Sequence, residues 1–134
     1  MCRSRNNLNV LVADDNIIKA MKVKKALEFN GIREIQLVRH QAAVWEKIRE
    51  GEENGKQIDL VVTDMHYPLV AGQEADHNAG FILLDELKRR GEDIPVIICS
   101  SVNYIEPTAL GCVWYSELRD MEEDFRKVLM RLIK

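Results

Sequence analysis

Two apolar runs that each end in a carboxylate constrain this chain more than any other feature. Val10-Leu11-Val12-Ala13 runs directly into Asp14-Asp15, and Ile58-Asp59-Leu60-Val61-Val62-Thr63 runs into Asp64. Short, near-continuous stretches of Val, Ile and Leu are what parallel strands look like when both faces of their sheet are covered. As neighbours in one parallel sheet, the two runs would end side by side and bring three carboxylates together. Like charges a few ångströms apart repel and raise one another's pKa, so the cluster calls for a cation. Hard oxygen donors of this kind suit Mg²⁺, which binds through carboxylates and substrate phosphate. The pattern therefore points to phosphate chemistry.

Five apolar segments, 8–13, 34–38, 58–63, 94–99 and 112–115, read as strands, and longer amphipathic segments separate most of them. The spacing predicts helices over 16–30, with Ile17, Ile18, Met21, Leu27 and the stem of Lys24 as its stripe, and over 41–53, with Val44, Trp45 and Ile48. Two more are predicted over 80–90, with Leu83, Leu84 and Leu87, and over 117–133, with Met121, Phe125, Val128, Leu129 and Leu132. Asn30-Gly31 and Gly91 are helix stops. Such alternation implies βαβ units with right-handed crossovers. The expected fold is an α/β, doubly wound, three-layer domain whose five parallel strands are ordered 2-1-3-4-5.

Two connections are irregular. The stretch between Asp64 and Gly80 is long and polar, a kind of loop usually found where it serves function. Between Ser100 and Gly111 there is little room for a helix, and Pro107 would interrupt one, so a turn or a helical stub is expected there, that is, a shortened helix four.

The 134 residues suit one domain, 1–134 with a core of about 8–133. A formal net charge of −3 offers no basic footprint for nucleic acid. The apolar runs are far shorter than the roughly 20 residues that cross a bilayer, so no membrane partner is expected. Met1-Cys2-Arg3-Ser4-Arg5-Asn6-Asn7 lacks the apolar stretch of a secretory signal. Cys2, Cys99 and Cys112 are odd in number and widely spaced, which fits a reducing, cytoplasmic setting.

In an open parallel sheet, ligands bind beyond the carboxyl ends of the strands. Asp14-Asp15 end the first strand, Asp64 the third and Ser100-Ser101 the fourth, so all of them fall on that rim. The set suits transfer of a phosphoryl group to a carboxylate. One Asp attacks, a metal held by the others neutralises the moving oxygens, and a hydroxyl donates to the product. Asp64 stands alone, which makes it the nucleophile candidate. Taken singly, each Asp at a strand end is also a turn former or helix cap.

With these residues in hand, the chain resembles the receiver domain of bacterial two-component response regulators, in its stand-alone, chemotaxis-type, flavodoxin-like form. The resemblance rests on Val10-Leu11-Val12-Ala13-Asp14-Asp15, Val61-Val62-Thr63-Asp64-Met65-His66-Tyr67-Pro68, Gly80 and Ile94-Pro95-Val96-Ile97-Ile98-Cys99-Ser100. It implies that Asp64 accepts a phosphoryl group from a sensor histidine kinase or phosphotransfer protein. It also implies that Asp14, Asp15, Asp64 and the backbone carbonyl of His66 bind Mg²⁺, that Ser100 is the hydroxyl switch and that Tyr115 is the aromatic switch. No output domain is read from the chain, so a downstream protein effector is expected, and no enzymatic activity.

The chain departs from the family at the end of strand five. The family places a lysine there that contacts the phosphoryl group; here Leu118 stands at the expected position, with Arg119 adjacent. That departure keeps a second reading open, a pseudo-receiver that acts through protein contacts without phosphate. A third reading, an Asp-nucleophile phosphatase, needs a second Asp two residues after the first, where His66 stands. Lys19, Lys22, Lys24 and Lys25 read as a solvated helix face. His66, His77 and Asp76 read as solvated loop residues rather than a second metal site, and His40 as a surface residue.

Overall fold

The computed structural model describes residues 5–132; Cys2 and the end of the last predicted helix lie outside them. Its strands are β1 (Asn9–Ala13), β2 (Glu34–Val38), β3 (Leu60–Thr63), the two-residue strands β4 (Tyr67–Pro68) and β5 (Ala75–Asp76), β6 (Val96–Ser100) and β7 (Gly111–Trp114). The helices are α1 (Ile17–Phe29), α2 (Gln41–Glu53), α3 (Ala79–Arg89) and α4 (Met121–Leu129), with single 3₁₀ turns at Arg5–Asn7 and Met130–Leu132. Five strands form one parallel sheet in the order β2-β1-β3-β6-β7. That is the expected 2-1-3-4-5 order, since β4 and β5 pair only with each other as a small antiparallel hairpin.

The central strands are buried along their whole length, β1, β3 and β6 alike. Their side chains alternate between two cores because successive residues of a strand point to opposite faces. Val10, Val12, Leu60, Val62, Ile97 and Cys99 pack with Val23 and Leu27 of α1 and with Phe125 and Leu129 of α4. Leu11, Ala13, Val61 and Val96 pack with Val44 and Ile48 of α2 and with Leu83 and Leu87 of α3. Each such fully buried side chain stabilises the fold by roughly 1.5–3 kcal/mol.

Three expectations are corrected. In α1 the buried face is Lys19, Ala20, Val23, Ala26 and Leu27, whereas Ile17, Ile18 and Met21 are exposed. Asn16 sets this phase: its side chain accepts the Lys19 N–H and caps the helix, which turns Lys19 inward. Helix four is not shortened but absent: residues 101–110 form bends and turns with no helix. Pro107 supplies no N–H within the segment, and Leu110 N–H joins the Val96 carbonyl at 2.7 Å. Further on, α4 begins at Met121 rather than 117, because the Asp120 carboxylate accepts the Glu123 N–H and caps it.

Candidate functional site

The parallel ladder runs one residue past the strands and ends in carboxylates. Asp14 N–H donates to the Val38 carbonyl at 3.0 Å, and Asp64 N–H donates to the Ala13 carbonyl at 2.9 Å. This fixes Asp14 and Asp64 on adjacent strand ends, with Asp15 beside them. One carboxylate oxygen from each of Asp14, Asp15 and Asp64 lies within 4.8 Å of the others. Asp14 is buried, while Asp15 and Asp64 are half-buried and line a cavity with His66, Ser100 and Tyr115.

A cation already stands among them. Lys19, which the sequence pattern placed on a solvated face, is 4% exposed. Its ammonium lies 2.8 Å from Asp14 Oδ2 and 3.0 Å from Asp64 Oδ1, and donates to the Cys99 carbonyl at 2.7 Å. Burial alone would lower its pKa, but the Asp14 and Asp64 charges outweigh that and hold it above the ordinary value. Asp14 is raised as well, but by burial, against the pull of Lys19 and of the Asn16 N–H. The sequence hides Lys19 because Ile17, Ile18 and Met21 suggest a different buried face for α1. The available signal was phase, for Lys19 stands at i, i+4, i+7, i+8 with Val23, Ala26 and Leu27.

The acid set suits a divalent cation. Asp14 commits Oδ1 to the Asn16 N–H and Oδ2 to Lys19, and Asp64 commits Oδ1 to the Met65 N–H and Lys19. Among the described residues no N–H or ammonium engages Asp15 or Asp64 Oδ2. Three carboxylates against one ammonium leave two negative charges, which one Mg²⁺ would balance. A divalent ion held there supplies Lewis-acid neutralisation of phosphoryl oxygens.

The remaining predicted residues divide. Ser100 is buried on the same cavity, with Oγ accepting the Val102 N–H at 3.2 Å. Tyr115 continues β7 through its N–H to the Ser100 carbonyl at 2.7 Å, and its ring centroid lies 5.6 Å from the Lys19 ammonium. Trp114 turns away, its indole donating to the Ser101 carbonyl. His66 borders the cavity with an exposed side chain whose ring lies 4.2 Å from that of His77. His40 caps α2 by accepting the Ala43 N–H through Nδ1. Leu118 is 90% exposed, and Arg119 is paired with Asp124. Neither lines the cavity, where Tyr115 stands at the end of β7 instead.

The long connection behind Asp64 is anchored rather than loose. Tyr67 is fully buried, and its hydroxyl accepts from Thr63 Oγ1 at 2.9 Å and Gln41 Nε2 at 3.2 Å. Burial pushes this phenol up to about 12. Gly80 lets α3 approach the acid loop: a Cβ there would sit 3.0 Å from the Asp64 carbonyl oxygen and 3.1 Å from Met65 Sδ.

Residues 10–113 match the family model of the response regulator receiver domain. The chain belongs to that family. Its fold is also that of solved receivers. A receiver domain protein from Clostridium thermocellum is 22% identical, with a TM-score of 0.67 over 94% of both chains. The Mn²⁺-bound response regulator Rcp1 is 16% identical, with a TM-score of 0.65 over 90% of this receiver and 91% of Rcp1. The Salmonella typhimurium response regulator RcsB is 18% identical, with a TM-score of 0.66; 93% of this receiver aligns, spanning 58% of the RcsB chain. No curated protein matches. Among the described residues of this receiver, no helix is long and apolar enough to cross a membrane.

Proposed function

We propose that this receiver accepts a phosphoryl group on Asp64 from a sensor histidine kinase or a phosphotransfer protein, in a reaction that depends on Mg²⁺. Asp14, Asp15, Asp64 and the His66 carbonyl hold the metal, and Ser100 and Tyr115 read the new charge. The observation that carries this reading is the convergence of three carboxylates within 4.8 Å, two of which, Asp15 and Asp64, line one cavity. The receiver works in signalling rather than as an enzyme, in the cytoplasm, and passes its state to a protein effector. A net charge of −3 argues against a nucleic-acid partner.

Incubation with acetyl phosphate or phosphoramidate and Mg²⁺ should add one phosphoryl group by intact mass, and Asp64→Asn should add none. Absence of any mass gain with both donors would sink the proposal. It would then favour a pseudo-receiver in which Lys19 serves as the permanent counter-ion of Asp14 and Asp64.

A further inference from the structure

The geometry points to Lys19 as the cation that meets the phosphoryl group at Asp64, delivered from the first turn of α1 instead of from the end of β7. This deepens the reading above and rests on it.

Lysine is seldom fully buried unless it is paired, because an unpaired ammonium in the interior is costly. Lys19 fills its donor capacity with three acceptors from three strand ends: Asp14 after β1, Asp64 after β3 and the Cys99 carbonyl in β6. Its contact with the reacting side chain is direct, 3.0 Å from Asp64 Oδ1. The same oxygen accepts the Met65 N–H, which leaves Oδ2 with its lone pairs for attack. Lys19 is also tied to Cys99, next to Ser100, so ammonium and hydroxyl flank Asp64 on the cavity wall. The far end of the sheet provides no rival. Tyr115 stands there, and Leu118 and Arg119 are exposed at the surface.

With acetyl phosphate as donor, the bond from phosphorus to the acetyl oxygen breaks and acetate leaves with the electron pair. A bond from Asp64 Oδ2 to phosphorus forms. Lys19 keeps its proton throughout and acts only by charge. It is needed more after transfer than before, since an acyl phosphate places two negative charges where the free carboxylate had one.

The test compares the full chain with Lys19→Met, a near-isostere without charge, in phosphorylation by acetyl phosphate followed by intact mass. Mg²⁺ affinity is measured in parallel by calorimetry. The expected result is a loss of roughly a hundredfold in the rate of mass gain, the order seen when one preorganised stabilising group is deleted. Mg²⁺ binding should be retained or tightened, because a competing cation has gone. A general loss of structure would weaken both, so opposite movement separates the role in transfer from a merely structural one.

A second measurement needs no variant. In wild-type protein carrying ¹³C-labelled lysine, beryllium trifluoride with Mg²⁺ should shift the Cε signal of one buried lysine. Wild-type uptake with an unchanged rate in Lys19→Met, or no lysine shift on adding beryllium trifluoride, would overturn the assignment of Lys19 alone. Failure of the wild-type chain to gain mass would instead overturn the phosphoacceptor reading on which it rests.

Discussion

The two connections that flank Asp64 on the C-terminal rim are built on opposite plans. The turn from β1 into α1 is tightly bonded: Asn16 caps the helix, Asp14 holds the Asn16 N–H, and Lys19 reaches across to β3 and β6. The return from β6 to β7 has no helix, and its Val102 and Ile105 side chains are 55% and 92% exposed. One side is held by buried charge, and the other by hydrogen bonds near its ends, with Tyr104 edge-on to Phe81 between them. A receiver can keep its acids in register with one rigid junction while leaving the neighbouring one free to change.

The sharpest way to break this contrast is on the rigid side. Removing one member of a buried ion pair strands its partners, at a typical loss of about 3–5 kcal/mol. Lys19→Met should lose stability on that scale in urea without metal, with partial recovery in Mg²⁺ as the divalent ion takes over the neutralisation of Asp14 and Asp64. Equal stability with and without Mg²⁺ would mean that the acids do not depend on a cation.

Gly80→Ala comes next. Its methyl would press on the Asp64 carbonyl oxygen and Met65, and overpacking of this kind costs about 1–3 kcal/mol. Because the contact is with the backbone of the Asp64 loop, Mg²⁺ affinity should fall along with stability. A variant of lowered stability with unchanged metal affinity would separate the α3 junction from the acid cluster.

Tyr67→Phe is smaller, about 1 kcal/mol for the lost hydroxyl bonds, but it has a pH signature. The unfolded phenol ionises from its ordinary value of 10.0, while the folded one holds its proton up to about 12. The folded state binds more protons in that interval, so stability is intact below pH 10 and declines as pH rises towards 12. Denaturation midpoints against pH should be flatter over this range in Tyr67→Phe. Lys19, also held above its ordinary value, adds an alkaline loss of the same sign that both proteins share.

On the open side, Ile105→Ser should change stability by less than about 0.5 kcal/mol, as expected of an exposed side chain. A larger loss would show that residues 101–110 pack more firmly than their exposure implies.

The acids were legible before any coordinates because a strand end is a fixed address. Once Val10–Ala13 and Val61–Thr63 are parallel neighbours, the residues that follow have nowhere else to go. Ser100 followed from the same reasoning along Val96–Ser100. Lys19 was not legible from the apolar stripe, since Ile17, Ile18 and Met21 imitate a buried face and the true phase is set by a polar cap at Asn16. The β4–β5 hairpin is hidden because two-residue strands carry no period, and one anchor of Tyr67, the Gln41 amide, lies in α2, far from it in sequence. At the end of β7 the expectation fell on Leu118, but the chain leaves the sheet at Tyr115, three residues sooner.

Between β6 and β7 this domain has no helix. The bends and turns of residues 101–110 are a poorer lever than a helix for any force that starts at Asp64. The stiff mechanical path from Asp64 instead runs through the Lys19 side chain into α1, and from α1 into α4, which packs beside it. Any reader of this receiver gains most by gripping that flank.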